Sequence, residues 1–338
     1  NYPVLLCLDP LIGAISAGNC AVVKPSAYTP KTSQAIADML GAIYAPEYVA
    51  VIQGGRQENA ALLEQKFDYI FFTGSNTVGR LVMEAAAKNL TPVTAELGGK
   101  SPAIVDASSD LKLAAKRIAF GKLLNGGQTC VAPDYVLVEE SARDQLIQYF
   151  REVLEEKFPN GNYADHVRIV SERHFKQKKA LLEGQTIAFG GRVDEAQRTI
   201  EPTVLIDVDP ESQVMQEEIF APILPVLTWT KLDEAIDFVR SRPEPLALYL
   251  FTSSRDVEKK VLDTCSFGGG CINDTVVQLA NSDLGFGGVG QSGMGSYHGK
   301  RSFDTFTHYR SIVRKSTRLD LPFRYFPYTK KNFRLIRR

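Results

Sequence analysis

Two residues in this chain stand in settings suited to acyl chemistry. Cys130 follows a Gly-Gly-Gln-Thr turn in LLNGGQTCVAP, and Glu96 lies 34 residues upstream in TPVTAELGGKSP. A thiolate adds to a carbonyl readily and leaves readily, so it splits one hard displacement into two easier ones. A carboxylate takes the proton from the water that later releases the acyl group. Gly98, Gly99, Gly126 and Gly127 leave room for a substrate and let the backbone come close to it. Taken singly, each residue has a plainer reading: a lone Cys is a small buried hydrophobe, and a lone Glu is a solvated surface charge. The pairing within the stretch Thr91–Pro133 points to a covalent nucleophile and a general base.

The elements that must hold such a pair read as α/β. Within residues 5–40 a helix with small residues stops near Gly18 and gives way to the strand CAVVKPS. A helix over 29–43 is introduced by Thr29-Pro30. VAVIQGG is a strand and turn, residues 58–65 a short helix, and YIFFTGSNTVGR a buried strand running into a Gly-Ser turn and a helix. Residues 93–95 form the strand that leads to Glu96. SPAIVD is the next strand, and residues 110–124 an amphipathic helix that delivers Cys130 on a loop. A strand over 134–139 and a capped helix over 141–157 follow. AFGGRV and IEPTVLIDV read as strands or turns. The strands ILPVLTW and LALYLFTS flank a helix over 233–240; a helix over 257–265 leads into GGGCIND. GFGGVG at 285–290 matches a dinucleotide fingerprint by letters only, since that fingerprint follows a strand and opens a helix. RSFDTFTHYRSIVRKS predicts a helix and then a strand that pairs with another subunit.

Composition excludes several classes. The 338 residues are enough for more than one domain. Lys+Arg and Asp+Glu both number 39, so no excess charge draws nucleic acid. The five cysteines form no CxxC pattern, which argues against a disulfide framework or zinc site and for a reducing, cytoplasmic compartment. His166 and His174 stand apart from other ligand types, so no metal is expected. No apolar run is long enough for a membrane span. Arg334, Arg337 and Arg338 make a basic end, read either as a solubility feature or as a peripheral membrane contact.

ELGGKSP followed by the Cys of GQTC resembles the paired active-site signatures of the NAD(P)-dependent aldehyde dehydrogenase superfamily. NYP at the start, KPS at 24–26, FFTGS at 71–75, EEIFAP at 217–222 and FGGVGQSGMGSYHGK at 286–300 agree in order. FFTGS, SGMGSYHGK and LPFRYFPY look most like the class 3, fatty or aromatic aldehyde branch. NYP lies inside the chain in that family, so the sequence looks like one lacking an N-terminal part.

The resemblance implies oxidation of an aldehyde to an acid through a thiohemiacetal and a thioester, with NAD or NADP as cofactor. Cys130 is then the nucleophile, Glu96 the base and Asn1 the oxyanion-hole amide. Lys24, Gly74, Ser75, Glu218 and Phe220 are implied cofactor contacts, with Glu218 on the nicotinamide ribose. Ser75 also opens a helix whose free N–H groups suit a pyrophosphate. Ala27 stands where many members carry a Glu that would repel a 2′-phosphate, which leaves NADP open. Phe120, Thr129 and His298 are candidate lining of the aldehyde pocket, with core packing as the plainer role for Phe120. The implied layout is an incomplete, doubly wound cofactor domain over 1–97, a catalytic thiol domain over 98–290, and a segment over 291–338 that returns to the cofactor domain and makes a homodimer interface. Two other readings remain open from sequence: a non-catalytic interaction protein that retains the fold, and a cofactor-independent thiol esterase.

Overall fold

The computed structural model describes residues 1–161, 163 and 166–337. Arg338, assigned above to the basic end, lies outside the described residues. Asn1–Phe306 forms one compact unit and Thr307–Arg338 a second.

The largest element of the first unit is a seven-stranded sheet. Its strands run Gly269–Ile272, Ala247–Phe251, Pro102–Val105, Tyr135–Glu139, Ile223–Trp229, Thr203–Ile206 and Thr186–Phe189 in spatial order. All neighbours are parallel except the last pair. Parallel sheets bury both faces, so their strands are apolar throughout. Ala247–Phe251 has five buried residues in a row. Successive side chains still part to opposite faces. Ile104, Leu137 and Leu250 enter one core with the helices Leu232–Arg240 and Arg255–Thr264. Ala103, Val105, Val136 and Val138 enter the other with the helices Leu111–Leu123 and Arg143–Lys157.

Two smaller sheets precede it in sequence. Ala21–Val23 pairs in parallel with Val49–Val51, over a core of Leu11, Val23, Ile36, Leu40 and Val49. Ile70–Gly74 pairs in parallel with Val93–Leu97, and Gly293–Met294 returns to close the other edge of Val93–Leu97 in antiparallel register.

Three local expectations need correction. The helix read over 141–157 begins at Arg143, and its start has no side-chain cap. Ser141 instead donates to Glu139 at 3.3 Å, and a 3-10 turn over Glu140–Ala142 leads in. The short helix read over 58–65 is Arg56–Leu63. The helix in 301–316 is Lys300–Thr305, and a single chain carries no strand over 307–316, where the expected partner was a second subunit. The second unit holds the helix Lys330–Ile336, capped by Thr329, whose hydroxyl accepts from the Asn332 N–H at 3.2 Å. Among the described residues, no helix is long and apolar enough to cross a membrane.

Candidate active site

Glu96 sits on the middle strand of the three-stranded sheet, opposite Thr73 on one side and Gly293 on the other. It is 3% exposed, and neither carboxylate oxygen has a hydrogen-bond partner among the described residues. Desolvation favours the neutral form, and burial pushes its pKa up to about 8. A carboxyl tuned to that range holds its proton at rest and can exchange it near neutrality, as a general base must.

Cys130 is delivered by the helix Leu111–Leu123, which starts on an Asp110 cap and ends in a 3-10 turn over Leu124–Gly127. Asn125, Gly126 and Gly127 all take left-handed conformations there. A Cβ on Gly127 would lie 2.4 Å from the Ala221 carbonyl oxygen, so only glycine fits this crossing. The buried Gln128 locks the turn: its amide donates to the Asn125 and Arg168 carbonyls at 3.1 Å and accepts from the Val170 N–H at 3.0 Å. Beyond the thiol, the Tyr249 hydroxyl donates to the Val131 carbonyl at 2.6 Å. Cys130 itself is half-buried. Its thiol is pushed up to about 12, first by burial and then by the Glu218 and Glu96 carboxylates, while a backbone hydrogen bond acts against them. Burial thus favours the neutral thiol over the thiolate at Cys130.

Glu218 follows the short helix Gln213–Gln216. A Cβ on Gly98 would stand 2.1 Å from its carboxylate, so the glycine pair after Glu96 lets this acid approach the base's own strand. Glu218 Oε1 is buried without a partner among the described residues, while the Gly99 N–H serves its carboxylate. Burial and the nearby Asp134 raise its pKa to about 8. Phe220, two residues on, has a φ of 49°.

Lys24 ends its strand and donates to the Pro25 carbonyl at 2.9 Å and the Gly54 carbonyl at 2.7 Å. Gly74 and Ser75 are exposed at the start of the helix Asn76–Ala87, and the Ser75 hydroxyl makes no cap bond. An unpartnered buried Glu218 oxygen, an uncommitted Ser75 hydroxyl at a helix N-terminus and a strand-end ammonium fit a dinucleotide rich in hydroxyls and phosphates. Among the described residues no cluster of His, Cys, Asp and Glu is placed to hold a metal.

The structure thus draws the Glu96 and Glu218 carboxylates within electrostatic range of the Cys130 thiol, while Asn1 is exposed. The pocket candidates divide. Thr129 is buried, and its hydroxyl lies 2.8 Å from that of Tyr2. Phe120 is 53% exposed, which removes its core-packing reading. His298 stacks on Phe286, and its Nε2 lies 3.4 Å from Asp9. Sequence reasoning passed over Tyr2 and Gln128, and also Lys100 and Asp134, which form a part-buried ion pair at 2.5 Å. The available signal was a lysine directly after the glycine pair in ELGGKSP.

An α/β chain with a turn-mounted thiol, a buried carboxylate within its electrostatic range and residues that fit a dinucleotide has the architecture of an NAD(P)-linked oxidoreductase. The aldehyde dehydrogenase family matches residues 1–312, and the chain belongs to that family. It is 51% identical over 335 residues to 4,4'-diaponeurosporen-aldehyde dehydrogenase of Staphylococcus aureus, covering 98% of this chain and 73% of the relative. It is 50% identical to aldehyde dehydrogenase family 3 member A2 of Rattus norvegicus, covering 93% of this chain and 66% of that protein. To the rat aldehyde dehydrogenase described as dimeric and NADP-preferring it is 47% identical, over 94% of this chain and 70% of the relative. The chain thus spans about two thirds to three quarters of the length of these relatives.

Among solved structures, the substrate-bound state of Staphylococcus aureus AldH superposes with a TM-score of 0.96 at 50% identity, covering 99% of this chain and 74% of that one. A Mycobacterium tuberculosis aldehyde dehydrogenase complexed with NAD+ gives 0.82 at 30% identity, over 90% and 65% of the two chains. The class 3 enzymes are therefore this chain's relatives within the family, and its cofactor is NAD or NADP.

Proposed function

We propose that the protein carrying this chain oxidises a medium- or long-chain aliphatic, or an aromatic, aldehyde to the carboxylic acid, with Cys130 as nucleophile and Glu96 as base. The observation that carries the reading is the buried Glu96 carboxyl, whose two oxygens have no partner beside a turn-mounted thiol. An unsatisfied buried acid costs stability, and catalysis is what repays it.

Cys130 gives its proton to solvent water and its sulfur adds to the aldehyde carbonyl, forming a thiohemiacetal. The Asn1 side-chain amide and the Cys130 backbone N–H donate to the oxyanion. NAD(P)+, when bound, supplies the hydride acceptor, with Lys24, Gly74, Ser75, Glu218 and Phe220 as the residues that hold it. The thioester left on Cys130 is attacked by water whose proton passes to Glu96, releasing the acid and restoring the thiol. Thr129, Phe120 and His298 border the aldehyde's path.

The division at residue 97, with 291–338 returning to the cofactor side, stays part of this proposal, as does a cytoplasmic location, supported by five free cysteines. A homodimer is supported by the dimeric relative and by Tyr309, Ile312 and Val313, which are 65–90% exposed. The test is reduced-nicotinamide absorbance after mixing the protein with a medium-chain aldehyde and NAD+ or NADP+. Growth that vanishes in Cys130→Ala supports the reading; full turnover in that variant refutes it.

A further inference from the structure

We propose that Lys100, Asp134 and Lys178 form a clamp on the backbone of residues 217–219 that positions the Glu218 carboxylate for the cofactor's ribose, an inference that rests on Glu218 being a cofactor contact. Three consecutive residues are each held by a charged side chain from a different part of the fold. Lys100 Nζ donates to the Glu217 carbonyl at 2.8 Å, Lys178 Nζ to the Glu218 carbonyl at 3.0 Å, and the Ile219 N–H donates to Asp134 Oδ1 at 3.1 Å.

Lys100 also bonds Asp134 Oδ2 at 2.5 Å and the Val214 carbonyl at 2.9 Å, so all three of its N–H donors have partners. The Lys100 and Asp134 side chains are 11% and 4% exposed. Lys122 Nζ lies 3.9 Å from Asp134 Oδ1 and adds positive charge beside it. Burying such a pair costs desolvation that an apolar pair would avoid, so stability alone does not account for it. Its placement does. The clamp places its hydrogen bonds on the peptide groups around Glu218 and leaves the buried Oε1 of the carboxylate without a partner among the described residues. Lys100 also lies four residues after Glu96, so the clamp ties the strand of the base to the loop of the cofactor acid. These are positioning residues, acting through Glu218.

The test is titration calorimetry with NAD+ and with ADP, which lacks the nicotinamide-side ribose, on wild type, Glu218→Gln, Lys100→Met and Lys178→Met. Lys100→Met and Glu218→Gln are each expected to weaken NAD+ binding about tenfold, and Lys178→Met about threefold, with ADP affinity within about twofold of wild type. If Glu218→Gln weakens NAD+ and the two lysine variants do not, the clamp is refuted while the cofactor reading stands. If Glu218→Gln leaves NAD+ binding unchanged, the reading of Glu218 fails first. Parallel loss of ADP and NAD+ would show a general structural role and overturn the positioning claim. Should Lys100→Met fail to fold, Lys178→Met decides alone, because the bond it removes reaches only the Glu218 carbonyl.

Discussion

The thiol and the base of this site are mounted on sheets of different construction. Cys130 belongs to the region of the seven-stranded sheet, where Pro102–Val105 and Ala247–Phe251 are buried at every position. Glu96 belongs to a three-stranded sheet whose outer strand Ile70–Gly74 has no buried residue. The first region is rigid because both faces are packed, and it can carry a nucleophile on a strained left-handed turn without losing the fold. The second buries Glu96 but packs the neighbouring strand only in part. The difference teaches that Cys130 is placed by a core packed on both faces, whereas Glu96 is buried on a sheet packed only in part.

The largest effect separates the two regions chemically. Cys130→Ala should cut aldehyde oxidation by at least about a thousandfold, with cofactor affinity by calorimetry held within about twofold of wild type. Glu96→Gln should keep a single burst of reduced nicotinamide and slow the steady state by roughly 10²–10⁴-fold. Pre-steady-state absorbance distinguishes them, and equal loss of burst and steady state in Glu96→Gln would break the division of roles. In wild type the release step should quicken as pH rises through about 8, since only the ionised Glu96 accepts the proton of water.

Within the region of the thiol, a smaller change should act on stability. Gly127→Ala places a Cβ 2.4 Å from the Ala221 carbonyl oxygen at a φ of 77°. It should cost roughly 2–4 kcal/mol in chemical denaturation, and wild-type stability there would show that the turn is free to move.

Glu96 also gives its own sheet a pH dependence. Its folded pKa is raised from 4.5 to about 8. The folded state therefore holds this proton more tightly, and the stability it contributes at low pH is lost as pH climbs from about 4.5 through about 8. Glu96→Gln escapes that loss, so its advantage over wild type should grow with pH, to on the order of 2–4 kcal/mol at pH 8. An advantage that shrinks with pH would contradict the burial argument. The smallest effect sharpens the comparison itself: amide hydrogen exchange should be slower in Tyr135–Glu139 and Ala247–Phe251 than in Ile70–Gly74. The reverse order would remove the contrast between the two sheets.

Much of the architecture was legible because its signals are local. LALYLFTS is apolar end to end, as a strand covered on both faces must be, and Asp110 announces its helix by accepting from the Leu113 N–H at 3.0 Å. Glu96 and Cys130 were legible because acyl chemistry needs those groups beside small residues. The clamp was not: Lys100, Asp134, Lys178 and Glu217 meet only in three dimensions, across separations of 34 to 117 residues. Ser141 misled for a local reason, since its hydroxyl found Glu139 before it could cap the helix. The strand read over 307–316 depended on a partner that no single chain supplies.

The central claim is that the acyl group passes through Cys130 and waits there for Glu96 to release it. The direct measurement is mass spectrometry of the Glu96→Gln protein, quenched in acid after mixing with aldehyde and NAD+, then digested with trypsin. The account predicts the acyl mass on the peptide spanning residues 123–143, which contains Cys130. An unmodified peptide despite a full burst of reduced nicotinamide, or the acyl mass on another residue, would contradict it.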